Sequence, residues 1–153
     1  IRKVLGAGTG TIVVLIGKQF TRWIFLAYIL ALPVTIYVTS NWLNNYAYSL
    51  ATRNIKLDTA MTYIDKAIAK EPENAAYLDT KGWILYQLKN YEEAYKYIYK
   101  AYQKVMDDRE VLEHYGDVLW QLGKRDEARA IWEKALEQAP GDEVLKQKME
   151  SGL

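Results

Sequence analysis

The sequence contains no cysteine, a single histidine, three prolines and only two phenylalanines beside 13 tyrosines and five tryptophans. Without cysteine there are no disulfide frameworks and no thiolate metal sites, and the compartment stays open. With His114 as the one imidazole, a metal centre or a nucleophile–base pair has few ways to form. Glu110 lies one turn before it and Asp117 lies near it, but a metal needs more converging ligands. His114 therefore reads as an exposed or half-buried helix residue, and no catalytic residue, cofactor or metal is expected. Acidic side chains are missing until Asp58. That absence tells against a dinucleotide loop at Gly6, Gly8 and Gly10, whose third glycine also comes one position early for GxGxxG. The opening Ile1–Gly10 is read instead as a flexible or turn-forming segment.

Charge is unevenly placed. Arg2, Lys3, Lys18 and Arg22 are the only charged residues before Asn41, and the remainder carries 16 basic and 19 acidic side chains. A basic, apolar head thus precedes a mildly acidic body, which lacks the basic stripe a phosphate track requires, so nucleic acid is not expected as a partner. Because Ile1 is not a start methionine, the chain reads as a fragment or a processed product.

Long apolar runs are confined to the head. Thr11–Gln19 suggests a short interfacial or amphipathic helical turn. Trp23–Val38 is 16 residues long with Thr35 as its only clearly polar member. Such a helix spans ~24 Å, short of the ~30 Å hydrocarbon core, and extending it to about residues 20–43 completes a crossing. Arg22 can snorkel, Trp23 and Trp42 occupy interfacial positions, and Pro33 is a candidate kink. The competing reading is a buried helix capping the rest of the chain. The positive charges before the span place the N-terminus in the cytoplasm and the body outside it.

The body of the chain is repetitive. Ala60, Ala94 and Ala128 are spaced by 34 residues, as are Ala67, Ala101 and Ala135, and Gly82 and Gly116. Pro72 and Pro140 stand two such steps apart. A fixed period of this size means stacked copies of one supersecondary unit. Three units fit, 41–74, 75–108 and 109–142, with 143–153 as a cap. Each is a helix pair: Asn41–Arg53 with Leu57–Lys70, Ala75–Leu88 with Tyr91–Lys104, and Arg109–Leu122 with Arg125–Gln138. Short loops force antiparallel neighbours. Alanines at the crossings allow close approach, and Ile64, Ile98 and Trp132 fill the layer between the paired helices. Gly141 and Asp142 supply a break and an N-cap for a last helix, Glu143–Glu150.

These residues carry two resemblances. Residues 41–153 form a domain that over about 42–148 resembles the tetratricopeptide repeat (TPR) family, with LNNYAY, YID-A, AYLDT-GW and NYEEA among the matching runs; Lys81 and Met106 depart from the consensus leucine and proline. Residues 1–48, with IRKVLGA and WLNNYAY, resemble the C-terminal part of FtsX/MacB-type permeases of bacterial ABC exporters. That resemblance implies membrane insertion without carrying transport, since one span makes no path. The two overlap on Trp42–Tyr48, as a join at a shared sequence would, so the chain reads either as a chimera or as a natural two-part protein. The fold implied is all-α: one transmembrane helix, then a TPR α-solenoid of three helix-turn-helix repeats plus a cap.

In such solenoids the first helix of each repeat lines a concave groove. The positions facing it are Asn45, Asp79 and Glu113; Ser49, Trp83 and Asp117; Thr52, Tyr86 and Trp120; Arg53, Gln87 and Gln121. The family's lysine–asparagine carboxylate clamp is absent, and acids beside aromatics suit a basic or aromatic-containing peptide. The competing reading shares Trp83, Tyr86 and Trp120 between core and groove with no ligand. Tyr91, Tyr95, Tyr99 and Tyr102 form a stripe that either packs on the next repeat or offers an aromatic platform. The expected function is a non-catalytic, membrane-anchored scaffold holding a protein or peptide, on the periplasmic side of a bacterial inner membrane. The alternatives are a fragment of an FtsX/MacB-like export permease carrying the repeats as an appendage, and a homo-oligomer formed through the repeats.

Overall fold

The computed structural model describes residues 9–153, with side chains from Gly17 onward. Arg2, Lys3, Gly6 and Gly8, and with them the reading of Ile1–Gly10, lie outside the described residues, apart from Gly10 in the first helix. Seven α-helices and no strand occur among the described residues: α1 (Thr9–Thr52), α2 (Leu57–Ile68), α3 (Ala75–Gln87), α4 (Tyr91–Lys104), α5 (Arg109–Gln121), α6 (Arg125–Gln138) and α7 (Glu143–Ser151). The chain divides into two compact units, one ending at Val38 and one running from Thr39 to Leu153.

In the first unit every described side chain from Gly17 to Val38 is exposed, including Phe20, Trp23, Phe25, Leu30 and Tyr37. Two of its hydroxyls are satisfied locally: Thr21 and Thr35 each donate to the carbonyl one turn back, of Gly17 and Ala31, at 2.9 Å. Gly17–Thr52 is long and apolar enough to cross a membrane, with mean hydropathy 1.8 over its best 18 residues.

The sequence suggested three separate helical pieces here; the structure has one helix, with Pro33 inside it. What precedes each repeat differs. Asn74, Asp108 and Asp142 cap α3, α5 and α7, each side chain accepting from two backbone N–H groups of the first turn. Ser40 stands one 34-residue step before Asn74, with a capping side chain in register, but it lies within α1. Two residues before the caps Asn74 and Asp142 stand Pro72 and Pro140, whereas the equivalent place before Ser40 is Val38, which ends no helix.

The second unit is a run of antiparallel pairs. Ala94, Ala101, Ala128 and Ala135 are fully buried, and Ile98 and Trp132 fill the space between the paired helices. At Gly82 and Gly116 the helices come so close that a Cβ would lie 2.3 Å from Ile98 Cγ1 and from Trp132 Nε1. The first pair packs differently, through Leu43, Ala47, Leu50 and Ala51 of α1 against Ala60, Ile64 and Ala67. Of the two departures from consensus, Lys81 bonds Asp65 at 2.7 Å and lies 4.6 Å from the centre of the Tyr97 ring. Met106 is exposed just after α4 ends. Four helices stop one or two residues before their expected ends, at Thr52, Ile68, Gln87 and Gln121, because the last residues close tighter turns.

Candidate functional site

The sequence placed His114 at or near the surface; it is buried, at 5% exposure, and its partner comes from the previous repeat. His114 Nδ1 lies 2.8 Å from Asp79 Oδ2. Its ring stacks on Trp83 at 4.1 Å between centres and 14° between planes, and Trp83 stacks on Tyr86 at 4.7 Å and 7°. Burial pulls the His114 imidazole down, but Asp79, through charge and hydrogen bond, and then Glu110 and Asp117 outweigh it and hold the group above its ordinary value. Burial, aided by Asp117, pushes the Tyr86 phenol up to about 12, so it stays a hydrogen-bond donor and acceptor at neutral pH. Gln121 donates weakly to that phenol at 3.5 Å.

A second polar knot lies one repeat on. Asp117, 3% exposed, accepts from Trp132 Nε1 at 2.9 Å and from the Lys148 ammonium on both oxygens, at 2.9 and 2.8 Å. Lys148 also reaches Glu113 at 2.8 Å, and Arg109 bridges Glu113 and Asp142. Burial would lower the Lys148 ammonium, but Asp117 and Glu113 raise it, so the cation is held firmly. Asp117 and Glu113 are thus paired with the cap helix, Asp117 buried and Glu113 partly exposed. Trp120 is half-buried against Trp132, with Arg125 and Arg129 5.3 and 5.7 Å from its ring centre.

Of the remaining groove positions, Asn45, Ser49, Thr52 and Arg53 are exposed along the end of α1, and Gln87 is half-buried. Asn45 and Asp79 come together in a cleft of about 310 Å³ between the end of α1 and the N-terminal turns of α3 and α5. Asn44, Tyr48, Thr80 and Glu110 also line it. The Tyr48 phenol bonds Glu110 across α3. Two buried acceptors there, Asn44 Oδ1 and Asp79 Oδ1, have no hydrogen-bond partner, and neither has the buried indole N–H of Trp83. Among the described residues no group of carboxylates and imidazole converges to hold a metal.

The tyrosine stripe packs on its neighbours with Tyr99 still exposed. Tyr95, Tyr99 and Tyr102 surround Tyr115 of α5 at 5.9, 5.9 and 5.0 Å, whereas Tyr91 meets Tyr86. Sequence reasoning missed Asn44, Tyr48, the Asp79–His114 pair and Lys148. The signal for two of these was present: an acid at Asp79 and Glu113, answered 35 residues later by a base at His114 and Lys148.

Solved structures similar to this chain are helical-repeat domains. The first TPR of Spaghetti (RPAP3), bound to the HSP90 peptide SRMEEVD, matches with a TM-score of 0.65 and 18% identity, over 72% of this chain and 87% of that one. The TPR domain of Sgt2 from Aspergillus fumigatus gives 0.65 and 16%, over 74% and 76%. The second TPR domain of human RPAP3, in complex with the HSP70 peptide SGPTIEEVD, gives 0.63 and 20%, over 76% and 94%. At such identities the likeness shows the fold. Comparison with curated protein sequences finds no match. The family profile described as anaphase-promoting complex, cyclosome, subunit 3, matches residues 53–135, wholly after the permease-like stretch. That is more than half of the chain, and with its 34-residue helix pairs the chain belongs to this family of tetratricopeptide repeats.

Proposed function

We propose that the repeats hold a basic or aromatic segment of a partner protein along the face formed by the first helices of the repeats, without catalysis, and that α1 anchors them in a membrane. The observation that carries this is the ladder Tyr86–Trp83–His114 standing over Asp79 beside an acid-lined cleft. Flat aromatic area and nearby negative charge together grip cations and rings. The neighbouring domains whose peptides end in EEVD take acidic partners. Here Asp79, Asp108 and Glu110 give the same face the opposite preference.

The anchor is supported by the exposed apolar run of α1 and by the internal bonding of its threonines. Lys18 and Arg22 precede its most apolar part and no acidic residue occurs before Asp58, which favours an N-terminus in the cytoplasm and repeats on the far side, in a bacterium the periplasmic side.

The test uses the full chain in lipid nanodiscs against a peptide panel varying in charge and aromatic content. Basic, aromatic peptides bind with an affinity that falls as salt rises, and Trp83→Ala weakens it by about tenfold or more. Equal binding of acidic peptides, or binding indifferent to Trp83, would overturn the reading.

A further inference from the structure

We infer that the cleft between α1, α3 and α5 is a socket for an alkylammonium group, presented by a lysine side chain or by the N-terminus of a partner segment. The inference deepens the groove reading and rests on it for the identity of the carrier, but not for the socket itself.

Two atoms in the cleft lack what burial demands of them. Asn44 and Asp79 are 8% and 5% exposed, yet Asn44 Oδ1 and Asp79 Oδ1 are hydrogen-bonded to nothing. A buried carboxylate oxygen without a donor costs free energy comparable to a lost charge-assisted hydrogen bond, so such atoms mark an unfilled requirement. Both residues line one cleft, and the donors that line it with them, the Asn45 amide, the Thr80 hydroxyl and the Tyr48 phenol, bond to neither oxygen. Glu110 adds a further negative charge at its rim, and Asp108 contributes another while capping α5. A neutral or anionic group would leave the carboxylates uncompensated, whereas an ammonium brings three donors and a positive charge together.

One repeat later the protein itself holds an ammonium among buried acids. Glu113 is the residue 34 positions after Asp79, and Lys148 is 34 positions after His114. There the Lys148 ammonium makes three bonds, to Glu113 Oε1 and to both oxygens of Asp117. At the earlier repeat His114 stands in the place of the lysine, and its imidazole reaches only Asp79 Oδ2. The ring spends its other contacts on Trp83 and Tyr48. The two bonds that Lys148 makes to Asp117 have no equivalent at the earlier repeat, where Trp83 stands 34 positions before Asp117. At about 310 Å³ the cleft lies at the small end of ligand sites (~300–1,000 Å³), suited to one side chain on a four-carbon stem.

The experiment is a titration of the full, isotope-labelled chain in detergent micelles, followed by NMR. The probes are n-butylammonium and, as its neutral counterpart, N-butylacetamide. Saturable shifts at the Asn44 amide and the His114 ring with the ammonium, and none with the acetamide, are expected. Asp79→Asn removes the effect; because it also breaks the His114 pair, Asn44→Ala serves as the second variant and weakens the ammonium by roughly tenfold. No saturation, or equal shifts from both probes, would overturn the inference and assign the two oxygens to bound water. The carrier is then found with a basic, aromatic peptide in which the lysine or the N-terminus is acetylated in turn. Loss on acetylating the lysine assigns the socket to a side chain, and loss on acetylating the terminus assigns it to a chain end. A peptide that binds with an affinity indifferent to both modifications and to Asn44→Ala leaves the groove reading intact and ends this one. Butylammonium that saturates while no peptide binds does the reverse.

Discussion

At the scale of single residues, the buried pair of His114 and Asp79 sets a pH dependence whose sign is fixed by its surroundings. The imidazole is held above its ordinary value of about 6.5 by Asp79, Glu110 and Asp117 against the effect of burial. A group raised on folding contributes its full stabilisation below its unfolded value and loses it as pH rises through the folded one. Thermal melts followed by circular dichroism are therefore expected to show higher stability at about pH 5.5 than at about pH 8.5 through this pair, and Asp79→Asn to flatten that difference. A wild-type difference that survives in Asp79→Asn belongs to another group. Packing makes a second demand at this scale. Gly116→Ala drives a methyl into the Trp132 ring, which cannot swing aside because its Nε1 is bonded to Asp117. A loss of about 1–3 kcal/mol is expected by chemical denaturation, whereas Gly141→Ala, with open space around it, is near neutral. The glycine step was legible in the sequence. The burial of His114 was not, because it depends on a partner 35 residues away that composition and local periodicity do not weigh.

Among the elements, α7 does more than close the end of the array. The sequence made it a cap on the array, and its N-cap at Asp142 is where the Gly141–Asp142 pair pointed. What it also does is carry Lys148 back across α6 to two acids of α5. Lys148→Met leaves Asp117 buried with only the Trp132 N–H for company, and breaking such a pair is expected to cost about 3 kcal/mol. Combining it with Asp117→Asn recovers part of that loss, since the stranded charge goes too. A double-mutant cycle in urea measures this; additive effects would mean that the bond contributes nothing to the packing of α7. The starts of α3, α4, α5 and α7 were readable because each rests on a local side-chain cap. The fusion of the first repeat's helix into α1 was harder to read, because Ser40 offers a capping side chain in register and yet lies inside the helix.

For the whole molecule, the sharpest consequence comes from the contrast between its two units. Trp132, Ile98 and Leu112 are buried in the second, whereas Trp23, Phe25 and Leu30 of the first stand exposed on an apolar helix. The repeats possess their own core, so a chain running from Thr39 to Leu153 is expected to stay soluble and helical, and it must begin no later than Thr39 because Ser40 is fully buried. The full chain should float with liposomes and resist extraction by alkaline carbonate, as a spanning helix does. Leu30→Arg places a charge near the middle of the apolar run, at a cost of about 2.5–3.5 kcal/mol for insertion, and should shift a measurable fraction of the chain out of the membrane. The pair of results separates two accounts that the apolar run leaves open by composition alone. Flotation lost by Leu30→Arg with the shortened chain still folded means an anchor joined to an independent module. A shortened chain that aggregates means that the apolar helix serves the repeat core, and the membrane reading then fails with it.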